Sequence, residues 1–438
     1  MIKIHIAFYF ALQLIFTNLA AQNSKISKEE VVEKLLSNNS TLKSAAQDVL
    51  SAKSVLQQSN AVILPQVELS YTAITTTNPL MAFGSRLNQE RLVANDFNPA
   101  LLNDPDRINN YATVVEVQQP IFNMDGIHQR QAAKLGYEIS TLQENRKKDF
   151  MILEAEKAYM DLQLSHEALK VSKQALETMR AQFNVAVQLE VEGIIQKVDL
   201  LEVSIALSET ENRLSNAKSN LQNASDYLAY LIQATPEGVY TPKDSLKKNI
   251  TLVDTSAIIL PERRADIIAL ELAERANNSN LKSSKAAFIP KINAFGSYQL
   301  YDDKAFQADA SGYLVGARLS WNLFQGNQRT GKINQSKAEH EKSKIHLENY
   351  KAQSQMEIRR TLRRVQDASE RIETSRLMLK QAKESLRIRS NRFKEGMEKP
   401  ADLSAAQSAF SNKQLIYYQS IYEYNLALAQ LNFLTKEN

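Results

Sequence analysis

The sequence predicts a mainly helical chain with a membrane β-barrel contribution, built as two tandem repeats that each give two barrel strands and a long coiled-coil hairpin. Three observations carry that reading. Leucines stand seven residues apart at Leu200, Leu207, Leu214, Leu221 and Leu228, and a shift of 203 residues lands on Leu403, Phe410, Tyr417, Tyr424 and Leu431. The same shift carries Ala155, Leu162, Leu169, Leu176 and Phe183 onto Ile358, Val365, Ile372, Leu379 and Leu386. Between these arms, short segments alternate apolar and polar residues. A strict seven-residue step over several turns marks helices supercoiled around partners, whereas a period of two marks strands with two unlike faces.

Taken in order, residues 1–21 have the make-up of a secretory signal: Lys3 gives a basic start, Ile4 to Phe16 is mostly apolar, and Leu19-Ala20-Ala21 offers small residues for cleavage before Gln22. The chain has no cysteine, which excludes a disulfide framework, a thiolate metal site and an acylated N-terminal cysteine. Past the signal no apolar run reaches the roughly 18 residues of a membrane-spanning helix. A membrane crossing would therefore have to use strands.

The first repeat is expected over residues 22–235, a linker over 236–261 and the second repeat over 262–438. Glycine and proline, 11 and 10 in number, fall almost entirely between elements. Neither occurs between Gly136 and Gly193 or between Gly331 and Gly396, and the return arms Ile194 to Thr235 and Ala401 to Asn438 are free of both. Each longer stretch, run as one helix, would extend on the order of 90 to 100 Å. These four arms predict two antiparallel hairpins with tips at Gly193 and Gly396. At the second tip, Gly396 suits the left-handed turn that ends a helix and Pro400 the first turn of the next.

Strands are expected near residues 66–75, 111–121, 291–301 and 312–323. Val67, Leu69, Tyr71 and Ala73 alternate with Glu68, Ser70 and Thr72, and Tyr313, Val315, Ala317 and Leu319 repeat the pattern in the second half. One face toward lipid and one toward a wet lumen is what a barrel strand requires. Pro65 and Pro290 precede the first strand of each pair, and Ile63-Leu64-Pro65 matches Phe288-Ile289-Pro290. The connection Thr75 to Asn110 reads as a long loop rich in Asn, Pro and Asp, and Asp302 to Ser311 as a short one. Four strands cannot close a membrane barrel and would leave open edges in lipid. Three copies would supply a 12-strand β-barrel and a 12-helix α-barrel.

Enzymatic readings fare poorly: His128, His166, His340 and His346 show no metal-ligand spacing, and no phosphate loop or nucleophile elbow occurs. No cofactor is expected. The net charge of +4 comes from interspersed charges rather than from a basic field. The cluster Arg359, Arg360, Arg363 and Arg364 lies among Glu357, Asp367 and Glu370, so nucleic acid is not an expected partner.

With this organisation the chain resembles the TolC-like outer-membrane efflux proteins, or outer membrane factors, over essentially the whole mature sequence. The carrying residues are Leu260-Pro261-Glu262-Arg263-Arg264-Ala265-Asp266-Ile267, Gln119-Pro120-Ile121-Phe122 with Gly126, and the doubled tips, Glu192-Gly193 before Asp199-Leu200 and Glu395-Gly396 before Asp402-Leu403. The resemblance implies a homotrimeric channel-tunnel in the outer membrane that extends into the periplasm. It implies a passive exit duct for an efflux pump or type I secretion system, with a periplasmic adaptor protein and an inner-membrane pump as partners. The family usually has a proline where Ala265 stands, and some members flank the tip with a Tyr and an Arg where this chain has Phe393 and Glu398.

Asp402 and Asp199 are the candidate periplasmic gate residues. Each lies six positions past a tip glycine, where a carboxylate either satisfies a helix start or joins a ring at a narrow mouth. Glu192, Gly193, Ile194 and Ile195 at the first tip, and Glu395, Gly396, Met397, Glu398 and Lys399 at the second, are the candidate adaptor contacts. The alternative reading is a periplasmic or surface coiled-coil scaffold or adhesin anchored by a barrel.

Overall fold

The computed structural model describes residues 25–235, 238–249 and 259–437. The expected signal segment lies outside the described residues, as do residues 236–237 and 250–258 of the expected linker. The elements run β1 (Lys25–Ile26), α1 (Lys28–Asn38), α2 (Ser40–Ser59), β2 (Gln66–Thr76), α3 (Pro79–Asn88), α4 (Pro99–Asn103), β3 (Ile108–Phe122), α5 (Met124–Val191), α6 (Lys197–Leu231), β4 (Thr241–Pro242), α7 (Ala265–Ala286), β5 (Lys291–Asp302), β6 (Ala310–Ser320), α8 (Gln328–Lys394) and α9 (Pro400–Thr435). They form two compact units, one of the chain up to Gln47 with Gln143–Ile267 and Asn349 onward, the other of Asp48–Leu142 and Ile268–Glu348.

The first unit holds the coiled coils. On α6 the leucine column is joined by a second column of smaller residues, Val203, Thr210 and Ala217, which are buried. Leu221 and Leu228 are buried on the same seam. On α8 the buried run Ile358, Thr361, Val365, Ala368, Ile372 and Ser375 alternates steps of three and four, the seam spacing of a heptad. Two cores result. Ala155, Ala158 and Leu162 of α5 pack with Leu221 and Leu228 of α6 and with Val31 and Leu35 of α1. Ile358, Val365 and Ile372 of α8 pack with Ile421, Tyr424, Leu428 and Leu431 of α9. Helix α1 opens on a reciprocal cap, the Glu30 amide donating to Ser27 Oγ at 3.3 Å and the Ser27 amide to Glu30 Oε2 at 3.1 Å.

The two long helices start earlier than the glycines suggest. Helix α5 runs through Gly126 and Gly136 and α8 through Gly331, so those residues lie inside the first turns rather than before them. Among the described residues no helix is long and apolar enough to cross a membrane.

The second unit is organised by an antiparallel sheet in the order β2-β3-β5-β6. Strand β3 starts at Ile108, before the expected Tyr111, because its first residues pair with the end of β2, Thr76 opposite Ile108. Strand β6 ends at Ser320, short of Leu323, where the indole of Trp321 turns to donate to the Phe288 carbonyl at 3.0 Å. The ladder shifts register between Pro120 and Phe122, as expected for a residue with no amide to donate. The long connection after β2 is not a plain loop, since α3 and α4 fold within it. Both helices begin with proline, behind Asn78 and Asn98 side chains that accept from the Met81 and Ala100 amides.

Candidate functional site: the two-faced sheet and the hairpin tips

Cross-strand register divides the sheet into two chemically distinct faces. One row runs Leu69, Val115, Tyr298, Tyr313, and the next runs Val67, Val117, Gly296, Val315. Apart from Gly296 these are large apolar side chains and they are exposed, Leu69 at 70% and Val315 at 74%. The opposite face carries the rows Glu68, Glu116, Ser297, Leu314 and Ser70, Val114, Gln299, Gly312. A soluble sheet hides its apolar face and wets the other; here the apolar face is bare. That inversion suits lipid on one side and water on the other.

Aromatic residues collect at the two ends of the apolar face. Phe122, Phe288, Trp321 and Phe324 are exposed where the strands join helices, and Tyr71, Tyr298, Tyr313 and Phe306 toward the far end. Aromatic rings at both limits of an apolar band are the girdles of a membrane barrel. Among the described residues β2 and β6 form the edges of the sheet, each pairing on one side only, and such edges need partners in hydrocarbon.

At the hairpin tips the two repeats build the same cap. The Gly193 amide donates to the Glu190 carbonyl at 2.9 Å and the Ile194 amide to Leu189 at 2.8 Å; the Gly396 amide donates to Phe393 at 3.0 Å and the Met397 amide to Arg392 at 2.9 Å. Both glycines have φ of +73°. This is the Schellman closure, in which the left-handed residue is almost free of cost only as glycine. The next residue in each tip, Ile194 or Met397, is apolar and exposed at 63% and 58%.

The candidate residues divide by environment. Glu192, Gly193 and Ile194 are exposed and Ile195 is half-buried; Glu395, Gly396, Met397 and Lys399 are exposed. Glu398 differs, because Arg389 and Arg392 both grip its carboxylate, with Arg392 Nε 2.9 Å from Oε2, and leave its side chain 9% exposed. Asp199 is engaged locally, its Oδ2 accepting from the Gln196 amide at 3.1 Å at the start of α6. Asp402, at the matching place on α9, is exposed and has no partner among the described residues.

A largely buried cluster that nothing in the local sequence marks fixes the end of the second return arm, α9. Arg264 is 1% exposed. Its Nε donates to Asp266 Oδ1 at 2.7 Å, its Nη1 to the Leu434 carbonyl at 3.1 Å and its Nη2 to Ser354 Oγ at 2.8 Å. Tyr350 donates to Asp266 Oδ2 at 2.7 Å, and Arg146 Nε lies 3.2 Å from the same oxygen. Burial pushes the Asp266 carboxyl up, but the bonds from Arg264 and Tyr350 and the charge of Arg146 outweigh it and hold it below the usual carboxylate range. The segment from Leu260 to Ile267 is thus a structural clasp. Among the described residues no group of histidine, aspartate and glutamate is placed to hold a metal ion.

A sheet with a lipid face, a wet face and unpaired edges, in a chain that also folds two long coiled-coil hairpins, defines an outer-membrane tunnel protein. The sequence pattern of the family described as outer membrane efflux protein matches residues 31–232 and 260–435, and the chain belongs to that family. Outer membrane protein OprJ of Pseudomonas aeruginosa is 23% identical over 278 residues, a match spanning 60% of this chain and 56% of that protein. Among solved structures, the CmeC outer membrane channel of Campylobacter jejuni superposes with a TM-score of 0.80 at 17% identity, covering 93% of this chain and 85% of that one. The open state of the MtrE outer membrane channel of Neisseria gonorrhoeae gives 0.78 at 17% identity, covering 93% and 88%. The protein resides in the outer membrane and extends into the periplasm, and the family consists of channels rather than enzymes.

Proposed function

We propose that three copies of this chain close their β2 and β6 edges on one another into a barrel in the outer membrane, and form a passive exit duct for an efflux pump. The observation that carries the reading is the two-faced sheet: the bare apolar face needs lipid, and the polar face with Glu68 and Glu116 then lines a wet lumen. In the same reading the coiled-coil arms of the three copies form an α-helical barrel in the periplasm. On α6, Val198, Leu201 and Ile205 are exposed apolar residues on one stripe near the tip, a face that a neighbouring arm covers.

The tips meet a periplasmic adaptor, with Ile194 and Met397 as apolar anchors and Glu192, Glu395 and Lys399 as polar contacts around them. Glu398 stabilises its own turn through Arg389 and Arg392 instead. Asp402, one per chain, forms a ring of carboxylates at the narrow end, while Asp199 serves the start of α6. The duct carries no energy source, so an inner-membrane pump drives the cargo and selects it. A scaffold or adhesin would need a single terminal barrel anchor, whereas here a strand pair is written into each repeat, β2–β3 and β5–β6.

The test uses cells lacking other outer-membrane exit ducts, with the chain expressed beside its cognate pump and adaptor. Efflux of a fluorescent amphiphilic dye carried by that pump should require the chain, and fail with Ile194→Asp and Met397→Asp together. Dye efflux that is unchanged when the chain is removed would overturn the reading.

A further inference from the structure

The connection between β2 and β3 folds over one particular face of the sheet. Helix α3 packs against β3 and β6, and its buried residues Ala82 and Ser85 are followed one turn later by Gln89, 4% exposed. Ile108, Asn110, Ala112 and Ala310 are buried at that end of the strands. By register all four belong to the polar face: Ala112 stands opposite Thr72 and Tyr301, and Tyr301 stands opposite Ala310. The fold-back therefore covers the wet face and leaves the lipid face bare.

The segment is also built to hold that position. Gln89 Nε2 donates to the Asn109 carbonyl and to Asn110 Oδ1 at 2.9 Å each, and reaches the Asp302 carbonyl at 3.2 Å. Arg91 pairs with Asp303 in the turn between β5 and β6. Inside the segment Arg86 pairs with Asp96, whose Oδ2 accepts from the Val93 amide at 2.9 Å, and the Phe83 and Phe97 rings meet edge-on at 5.7 Å. Its other side is apolar and bare, with Leu80 at 81%, Leu87 at 54%, Val93 at 59% and Phe97 at 61% exposed.

We propose that residues 77–107 are a lid at the outer mouth of the duct, whose bare apolar side meets the same side of the neighbouring copies. This rests on the three-copy barrel above. A segment that covers the inner face in one chain points its remaining side across the lumen in a closed barrel, and the surface it finds there belongs to a second copy. The strand ends concerned, Thr76 with Ile108 and Tyr301 with Ala310, are those away from the junctions of β3 with α5 and of β6 with α8.

The chain has no cysteine, so single cysteines report without background. In intact cells, Ala112→Cys beneath the lid and Asp104→Cys on its rim are treated from outside with a polymer-linked maleimide that cannot cross the membrane. Replacing residues 77–107 by a short turn should speed labelling at Ala112→Cys on the order of 100-fold, the factor for a mouth open about one part in a hundred. In the full chain Asp104→Cys should label readily. Leu80→Cys should form disulfide-linked pairs of chains under mild oxidation. A paired control places cysteines on the outward edges of β2 and β6, which cross-link between copies whatever the lid does. Edge cross-linking with equal labelling of Ala112→Cys with and without the lid, or with unlinked Leu80→Cys, would overturn the lid and leave the barrel standing. Failure of the edge cross-link would overturn both.

Discussion

Arg264 and Asn39 perform one task in the two repeats. Arg264 donates to the Leu434 carbonyl at the end of α9, and Asn39 Nδ2 donates to the Leu231 carbonyl at the end of α6 at 2.8 Å. The shift that carries Pro65 onto Pro290 also carries Asn39 onto Arg264, and the hairpin shift carries Leu231 onto Leu434. Each return arm thus ends on a side chain from the start of its own repeat, which satisfies an orphan carbonyl of the last turn.

The two clasps should differ in weight. Arg264→Met removes the principal partner of Asp266, leaving its half-buried carboxylate to Arg146 and Tyr350, and strips the Leu434 carbonyl and Ser354 of their donor, which is expected to cost about 3–5 kcal/mol. Asn39→Ala loses the neutral hydrogen bond to Leu231 together with the cap that Asn39 Oδ1 gives the Thr41 and Leu42 amides at the start of α2, about 1–3 kcal/mol in all. Denaturant unfolding of the detergent-extracted protein would rank them, and an Asn39→Ala effect equal to that of Arg264→Met would contradict the assignment.

Acid should act through the same cluster. The folded carboxyl of Asp266 is held below its unfolded value, so its contribution is fully present above the ordinary carboxylate range, near pH 4, and is lost as pH falls through the folded value. Melting temperature measured from pH 6 down to pH 2 should therefore drop more steeply for the unaltered chain than for Asp266→Asn. Parallel curves would remove Asp266 from the account.

Gly126 sits in the first turn of α5 because nothing larger fits. A Cβ there would lie 2.7 and 2.8 Å from the two γ-methyls of Val62, a β-branched side chain with little freedom to turn away. Gly126→Ala should cost about 1–3 kcal/mol by overpacking, and Val62→Ala should recover most of it. Failure of the second substitution to rescue would point to a backbone requirement instead.

Glu68 and Glu116 face each other across β2 and β3, and Gln118 Nε2 donates to Glu116 Oε1 at 2.9 Å. Opposed like charges weaken a sheet, so their presence fits a lumen that favours cations. In planar bilayers, on a chain with the lid shortened, Glu68→Gln with Glu116→Gln should move the reversal potential in a salt gradient toward zero. An unmoved potential would place the selective step elsewhere.

Much of this was legible in the sequence because heptads and strand alternation are periodic, and the doubled pattern removed ambiguity. The tips were legible for a similar reason, since a Schellman closure announces itself through glycine. What escaped rests on contacts across long separations. Nothing local marks Asn39 as a cap for Leu231, although comparing the repeats would have paired it with Arg264. Residues 77–107 read as a loop because α3 and α4 are too short to show periodicity, and their starts at Asn78-Pro79 and Asn98-Pro99 carry the only local signal. Glu398 read as an exposed turn residue because its partners Arg389 and Arg392 lie a turn or more back along α8.

Image averaging of the detergent-extracted protein tests the central claim most directly. The account predicts threefold particles with a short membrane drum and a stalk on the order of 100 Å, the length of α5 or α8 as a continuous helix. Single chains, or particles without threefold symmetry, would contradict a duct assembled from three two-faced sheets.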